Sequence, residues 1–198
     1  MYYNGKLYFC NYEEDKLVDL VNEVLYSIGL NETKDLKVGN PLAKTISGGQ
    51  RKRLNIALEL IREPSILFVD EPTSGLSSND SEVIMDLLKI LALKGKLIFV
   101  VIHQPSSEIF KMFDQLIILD VGGYPIYKGD PVDAGVYFKK LINHANADES
   151  QCETCGNVNP EQIFNIIDLK VVDEYGELTG DRKISPAEWN QHYHDIIK

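Results

Sequence analysis

The chain has 198 residues, 44% of them hydrophobic and 25% charged, enough for one ordinary domain with a substantial core and a second small lobe. A formal net charge of −10 argues against nucleic acid or an anionic membrane surface as a main partner. No run approaches the roughly eighteen apolar residues of a membrane span, the N-terminal residues lack a secretion signal, and 3 cysteines are too few for a disulfide framework, so a reducing cytosol is the default compartment.

Residues 1–12 are tyrosine-rich and read as an end segment. Leu17, Val21, Val24, Leu25 and Ile28 recur at helical spacing and predict a helix over 13–28, with Gly29 as its stop. Residues 31–45 read as a polar loop. A second helix is predicted from Ser47, with Leu54, Ala57, Leu58 and Ile61 on one face and Pro64 beyond its end. Ile66–Val69 and Leu97–Ile102 are unbroken apolar runs, the pattern of strands covered on both faces of a parallel sheet. Between them Val83, Ile84, Leu87, Leu88 and Leu91 predict an amphipathic helix closed by Gly95. Strand, helix and strand form a βαβ unit with a right-handed crossover. Residues 115–121 and 125–128, joined across Gly122-Gly123, predict a hairpin, and a helix follows over 130–142. After Asn143 the composition turns polar around Cys152-Glu153-Thr154-Cys155-Gly156. Short helices are predicted at 160–169 and 186–197, separated by a turn-rich connection around Gly176 and Gly180.

Three places carry chemistry. Ser47-Gly48-Gly49 opens a helix, whose free N–H groups and positive dipole end bind phosphate oxygens, while bare glycines let the anion come close. Taken alone it reads equally as an ordinary cap. Asp70 and Glu71 stand where an apolar strand meets a turn at Pro72. Phosphoryl transfer needs Mg²⁺ to neutralise charge and a group to orient the attacking water, and two such carboxylates suit those tasks. Two acids before a proline also make a solvated turn. His103 follows the next strand, which brings it to the carboxyl ends of neighbouring parallel strands beside Asp70 and Glu71, where open α/β sheets bind ligands. By itself it reads as a structural histidine.

The joint occurrence is more specific than its parts. Ile46-Ser47-Gly48-Gly49-Gln50, Ile66-Leu67-Phe68-Val69-Asp70-Glu71-Pro72 and Phe99-Val100-Val101-Ile102-His103-Gln104-Pro105 resemble, in order and spacing, the signature motif, Walker B strand and switch histidine of ABC-type ATPases. Thr73-Ser74-Gly75-Leu76, His103-Gln104-Pro105-Ser106 and the hairpin ending Tyr127-Lys128-Gly129 resemble the G subfamily of ABC transporters. The resemblance covers residues 13–143. It implies an α/β fold: a partial P-loop-NTPase-type parallel sheet with flanking helices, a helical signature region and a small C-terminal extension. The implied divisions are 1–45 (N-terminal and helical segment), 46–143 (ATPase core) and 144–198 (extension).

The resemblance also implies roles. Ser47, Gly48, Gly49 and Gln50 would contact the γ-phosphate of ATP held by a second, facing domain. Asp70 would coordinate Mg²⁺ through water, Glu71 would be the catalytic general base and His103 the γ-phosphate switch. Ser77, grouped with the nucleotide-contacting residues, stands where the family carries an aspartate that helps couple the two facing sites. A Walker A loop is missing. Gly39-Asn40-Pro41-Leu42-Ala43-Lys44-Thr45 superficially resembles one, but it lacks the glycine before the lysine and does not follow a buried strand.

The expectation is the rear portion of a nucleotide-binding domain, which binds ATP poorly and is inactive alone. In the intact protein it would hydrolyse ATP to power export, with a head-to-tail second nucleotide-binding domain and a transmembrane domain as partners and no nucleic acid. Its place would be the cytoplasmic face of the cell (inner) membrane. Two rivals stand: a non-transport ABC ATPase, and a catalytically inactive interaction domain with a zinc-binding C-terminal lobe. Cys152 and Cys155 resemble half a zinc knuckle, with inert thiols or redox chemistry as alternatives, and Trp189 and Tyr193 read as packing.

Overall fold

The computed structural model describes residues 1–39, 45–143, 147–151 and 156–197. They form two compact units, Met1–His103 and Gln104–Lys198.

In the first unit the tyrosine-rich start is helix α1 (Tyr2–Tyr8), not a bare end segment. Its cause is a glycine. A Cβ on Gly5 would lie 2.8 Å from Leu17 Cδ1 and 2.9 Å from Ile61 Cδ1, so α1 rests on its neighbours through a residue without a side chain. Leu17 belongs to α2 (Glu14–Ser27), which buries Leu17, Val21 and Leu25 as the spacing predicts. Gly29, at φ +67°, ends α2: the N–H of Leu30 reaches Leu25 O at 2.9 Å and that of Gly29 reaches Tyr26 O at 3.1 Å, the paired bonds of a glycine helix stop. Helix α3 (Gly48–Leu60) starts at Ser47, and Arg53 Nη1 donates to Ile28 O at 3.4 Å, fastening α3 to the end of α2.

Strands β1 (Ile66–Asp70) and β2 (Leu97–Val101) pair in parallel, Ile66 opposite Leu97 through Asp70 opposite Val101, with α4 (Ser78–Leu93) as crossover. Helix α4 buries Ile84, Met85, Leu87, Leu88 and Leu91. One expectation is corrected here: the strands are not covered on both faces. Successive strand side chains point to opposite faces. Leu67 is buried, whereas Phe68 is 76% exposed and Ile66, Leu97, Phe99 and Val101 share its exposure. Phe68 and Phe99 stack on that open face, centroids 5.0 Å apart.

The second unit contains α5 (Ser107–Lys111), the antiparallel hairpin of β3 (Leu116–Asp120) and β4 (Tyr124–Gly129), α6 (Pro131–Leu141), α7 (Pro160–Ile167), a second hairpin of β5 (Lys170–Val172) and β6 (Leu178–Arg182), and α8 (Pro186–Ile197). The first hairpin and α6, α7 and α8 follow the sequence reading; β5 and β6 replace the turn-rich connection. Asp173 makes that turn, its Oδ1 accepting from Tyr175 N and Glu177 N at 2.9 Å each, with Gly176 at φ +85°. Arg182 Nη1 donates to the buried carboxylate of Asp120 at 2.7 Å and Nη2 pairs with Asp168. Ile118, Ile126, Phe138, Ile163, Ile166 and Trp189 form one core, in which Trp189 is fully buried edge-on to Phe138.

Candidate functional site

The first unit holds the sequence-predicted residues of the described chain. Ser47 caps α3 with φ −65° and ψ 164°: its Oγ accepts from Gln50 N at 3.1 Å while Gln50 Oε1 accepts from Ser47 N at 2.8 Å. This reciprocal box satisfies two backbone donors and fixes the first turn. As the first residues of the helix, Gly48 and Gly49 carry N–H groups that have no partner within the helix itself, the kind of group that binds anions at helix starts. Neighbouring side chains come close to both glycines. A Cβ on Gly49 would lie 2.6 Å from Asp80 Oδ1, and one on Gly48 3.2 Å from Leu76 Cδ2. The segment after β1 therefore abuts the start of α3.

Asp70 closes β1 as an exposed residue. Glu71 follows in the left-handed region at φ +43°, uncommon for a residue with a side chain. Its N–H extends the ladder to Val101 O at 2.9 Å, and Lys52 Nζ, from α3, donates to Glu71 O at 2.9 Å. Holding a non-glycine residue there costs about 1–3 kcal/mol, and a hydrogen bond from a charged donor contributes about 1.5–3 kcal/mol, so the two are of one size. Pro72 behind it is fully buried. His103 lies two residues past the end of β2, exposed, at the same carboxyl end of the parallel pair as Asp70 and Glu71. Gln104 after it is also left-handed, at φ +46°.

Ser77 caps α4. Its Oγ accepts from Asp80 N at 3.2 Å and donates to Asp80 Oδ2 at 3.1 Å, so its hydroxyl is engaged within its own helix start. Cys152 and Cys155 lie outside the described residues, as do Asn40 to Lys44 of the loop that imitates a phosphate cradle. Among the described residues no cluster of three or more His, Cys, Asp or Glu side chains is arranged to hold a metal ion. No helix among them is long and apolar enough to cross a membrane. Sequence reasoning passed over Lys52 and Asp80. Lys52 was visible only as one of a basic trio, and Asp80 as the acid three residues after a capping serine.

These elements can do two things chemically. The α3 start presents N–H donors and a dipole to an oxyanion. The β1 and β2 ends present two exposed carboxylates and an imidazole at the same end of the parallel pair, side-chain types able to hydrogen-bond water and phosphate.

A family model described as ABC transporter matches residues 6–74, and one described as ABC-2 type transporter matches residues 103–192. The second match carries the likeness well past residue 143, where the recognisable motifs stop. The putatively assigned white-brown complex homolog protein 30 of Arabidopsis thaliana is 35% identical over 189 residues, 93% of this chain and 16% of that protein. ABC transporter G family member 28 of the same plant is 46% identical over 122 residues, 62% of this chain and 11% of that protein. The broad substrate specificity ATP-binding cassette transporter ABCG2 of Bos taurus is 44% identical over 118 residues, 60% of this chain and 18% of that protein. The chain thus spans 11% to 18% of the length of these relatives. Among solved structures, MJ1267, an ATP-binding cassette of an ABC transporter, superposes with a TM-score of 0.56 at 22% identity, covering 68% of this chain and 51% of that one. That likeness concerns the fold.

Proposed function

We propose, from the premise that this chain belongs to the ABC transporter family and groups with its G-family members, that it is the rear portion of a nucleotide-binding domain whose intact form hydrolyses ATP to drive export. The observation that carries the reading is the gathering of a serine-capped glycine helix start and the Asp70, Glu71 and His103 strand ends in one compact unit. Ser47, Gly48, Gly49 and Gln50 meet the γ-phosphate of a nucleotide held on a facing domain. Asp70 holds Mg²⁺ through water, Glu71 takes the proton of the attacking water, and His103 donates to the terminal phosphate. Bound Mg²⁺ supplies charge neutralisation on the phosphoryl oxygens. Ser77, committed to capping α4, contributes less to coupling between facing sites than an aspartate would.

The open face of Ile66, Phe68, Leu97, Phe99 and Val101 receives the remainder of the domain, which brings the phosphate loop. Exposed apolar patches of this kind mark contact surfaces. This chain alone accordingly binds Mg-ATP weakly and does not hydrolyse it. The partners are a second nucleotide-binding domain arranged head-to-tail and a transmembrane domain, at the cytoplasmic face of the cell membrane. The zinc-lobe rival rests on Cys152 and Cys155 and is decided by measuring zinc bound to the full chain.

The test is ATP hydrolysis by the full-length protein beside Mg-ATP calorimetry on this chain. Glu71→Gln should lower kcat by about 10²- to 10⁴-fold with ATP binding retained, the range for losing a general base. This chain should give no binding heat. Unchanged hydrolysis in Glu71→Gln, or tight ATP binding by this chain, would overturn the reading.

A further inference from the structure

We propose that Lys52 is a positioning residue for Glu71, a role that rests on the reading of Glu71 as the general base. Glu71 has a left-handed backbone, at φ +43°, immediately after the strand that presents it. A side chain leaving such a residue points where an extended continuation of β1 would not send it. Conformations of this sort persist only when the surroundings over-determine them, and they collect at functional sites. Here three constraints act on one residue. The Glu71 N–H is bound to Val101 O at 2.9 Å, the buried Pro72 fixes the next φ, and Lys52 Nζ donates to Glu71 O at 2.9 Å. The ladder bond acts on the near peptide and the lysine on the far one, so together they set the rotation of the Glu71 Cα between them.

Lys52 reaches Glu71 from another element. It lies on α3, little more than one turn from Ser47, Gly48 and Gly49, and the same helix abuts Asp80 through Gly49. The lysine therefore joins the helix that presents the phosphate-facing N–H groups to the turn that presents the carboxylate. The contact is to the backbone carbonyl, not to the carboxylate, so the effect is on aim.

The experiment measures ATP hydrolysis against ATP concentration in the full-length protein for Lys52→Met, Lys52→Arg, Glu71→Gln and the Lys52→Met/Glu71→Gln pair. Lys52→Met should lower kcat by about 10- to 100-fold with KM for ATP unchanged, the scale expected of a reacting group misplaced by about an ångström. Lys52→Arg, which keeps a charged donor, should recover most of kcat. In the Glu71→Gln background Lys52→Met should cost nothing more, because residues acting as a unit are non-additive. A merely structural lysine would instead cost the same in both backgrounds, and that result overturns the proposal. So does an unchanged kcat in Lys52→Met when Glu71→Gln abolishes turnover. If Glu71→Gln itself leaves turnover intact, it is the reading of Glu71 that fails. Should Lys52→Met not fold, Lys52→Gln takes its place, and the same two backgrounds decide.

Discussion

The two units bury their apolar residues in opposite ways. In Met1–His103 the parallel pair β1 and β2 keeps Leu67 inside and leaves Phe68 76% exposed on the other face, stacked on Phe99. In Gln104–Lys198 the β3–β4 hairpin packs into a core with α6, α7 and α8, where Phe138 and Trp189 are fully buried. The unit with the candidate site is the one with an exposed apolar sheet face. The unit with the finished core carries none of the described site residues. Large aromatic residues are therefore placed differently in the two: closed in a core on helices α6 and α8 in one, exposed on the face of a sheet in the other.

The largest effect expected tests that contrast directly. Trp189→Ala should destabilise the Gln104–Lys198 unit by about 3–5 kcal/mol, toward the lower end because Trp189 Nε1 is buried with no hydrogen-bond partner among the described residues and its removal ends that cost. Phe68→Ala in this chain should stay within about 0.5 kcal/mol, as for a surface position. On the proposed reading, in which the rest of the domain covers the open face, Phe68→Ala in the full-length protein should cost as much as a core truncation. Segment-resolved hydrogen exchange reads each unit separately. Equal losses for Trp189→Ala and Phe68→Ala in this chain would erase the contrast.

A smaller pair uses two helical glycines, one in each unit. Gly5→Ala forces a methyl to within 2.8 Å of Leu17 Cδ1 and 2.9 Å of Ile61 Cδ1, which should cost about 1–3 kcal/mol. Gly135, in α6, has nothing within 4 Å of the position a Cβ would take. Gly135→Ala should stabilise its unit by about 0.4–1 kcal/mol by restricting the unfolded chain. Opposite signs in thermal unfolding sharpen the picture of tight helix packing around α1; equal signs would remove the reason given for that helix.

Which parts of this structure a sequence can announce follows from the range of the forces involved. Helix α2, with Leu17, Val21 and Leu25 at helical spacing and Gly29 at its end, is written locally, and so is the hairpin across Gly122-Gly123. Helix α1 is not, because its fit depends on residues 17 and 61 meeting a missing side chain at residue 5. The β5–β6 hairpin escaped because its strands are short and its turn is made by Asp173 where no Asn-Gly or Asp-Gly pair marks it. The apolar runs of β1 and β2 suggested burial on both faces, but composition alone does not report which face of a strand this chain covers. At the candidate site, residue types and spacing pointed to Ser47, Gly48, Gly49, Asp70, Glu71 and His103, and the structure places them at the start of α3 and at the carboxyl ends of β1 and β2. The lysine holding Glu71 is nineteen positions away from it and is found only through the distance between the two.

The smallest effect at neutral pH appears on the alkaline side. Burial, aided by the negative charges of Asp133 and Asp130, pushes the Tyr127 phenol up to about 12; burial also pushes Tyr137 up to about 12. Both raised values favour the neutral phenol in the folded unit, while the unfolded chain ionises near the ordinary 10. Their contribution is therefore fully present below pH 10 and is lost as pH rises from 10 toward 12. The Gln104–Lys198 unit should lose stability across that window, seen as tyrosinate absorbance rising together with loss of exchange protection. Two substitutions separate the phenols. Tyr127 donates to Asp130 O at 2.6 Å, so Tyr127→Phe should cost about 1 kcal/mol at neutral pH. The Tyr137 hydroxyl is buried with no partner among the described residues, so Tyr137→Phe should be neutral or slightly stabilising below pH 10 and should reduce the alkaline loss. If Tyr137→Phe left that loss unchanged, the alkaline sensitivity would belong to another group, and the closed core of this unit would not be what holds its phenols neutral.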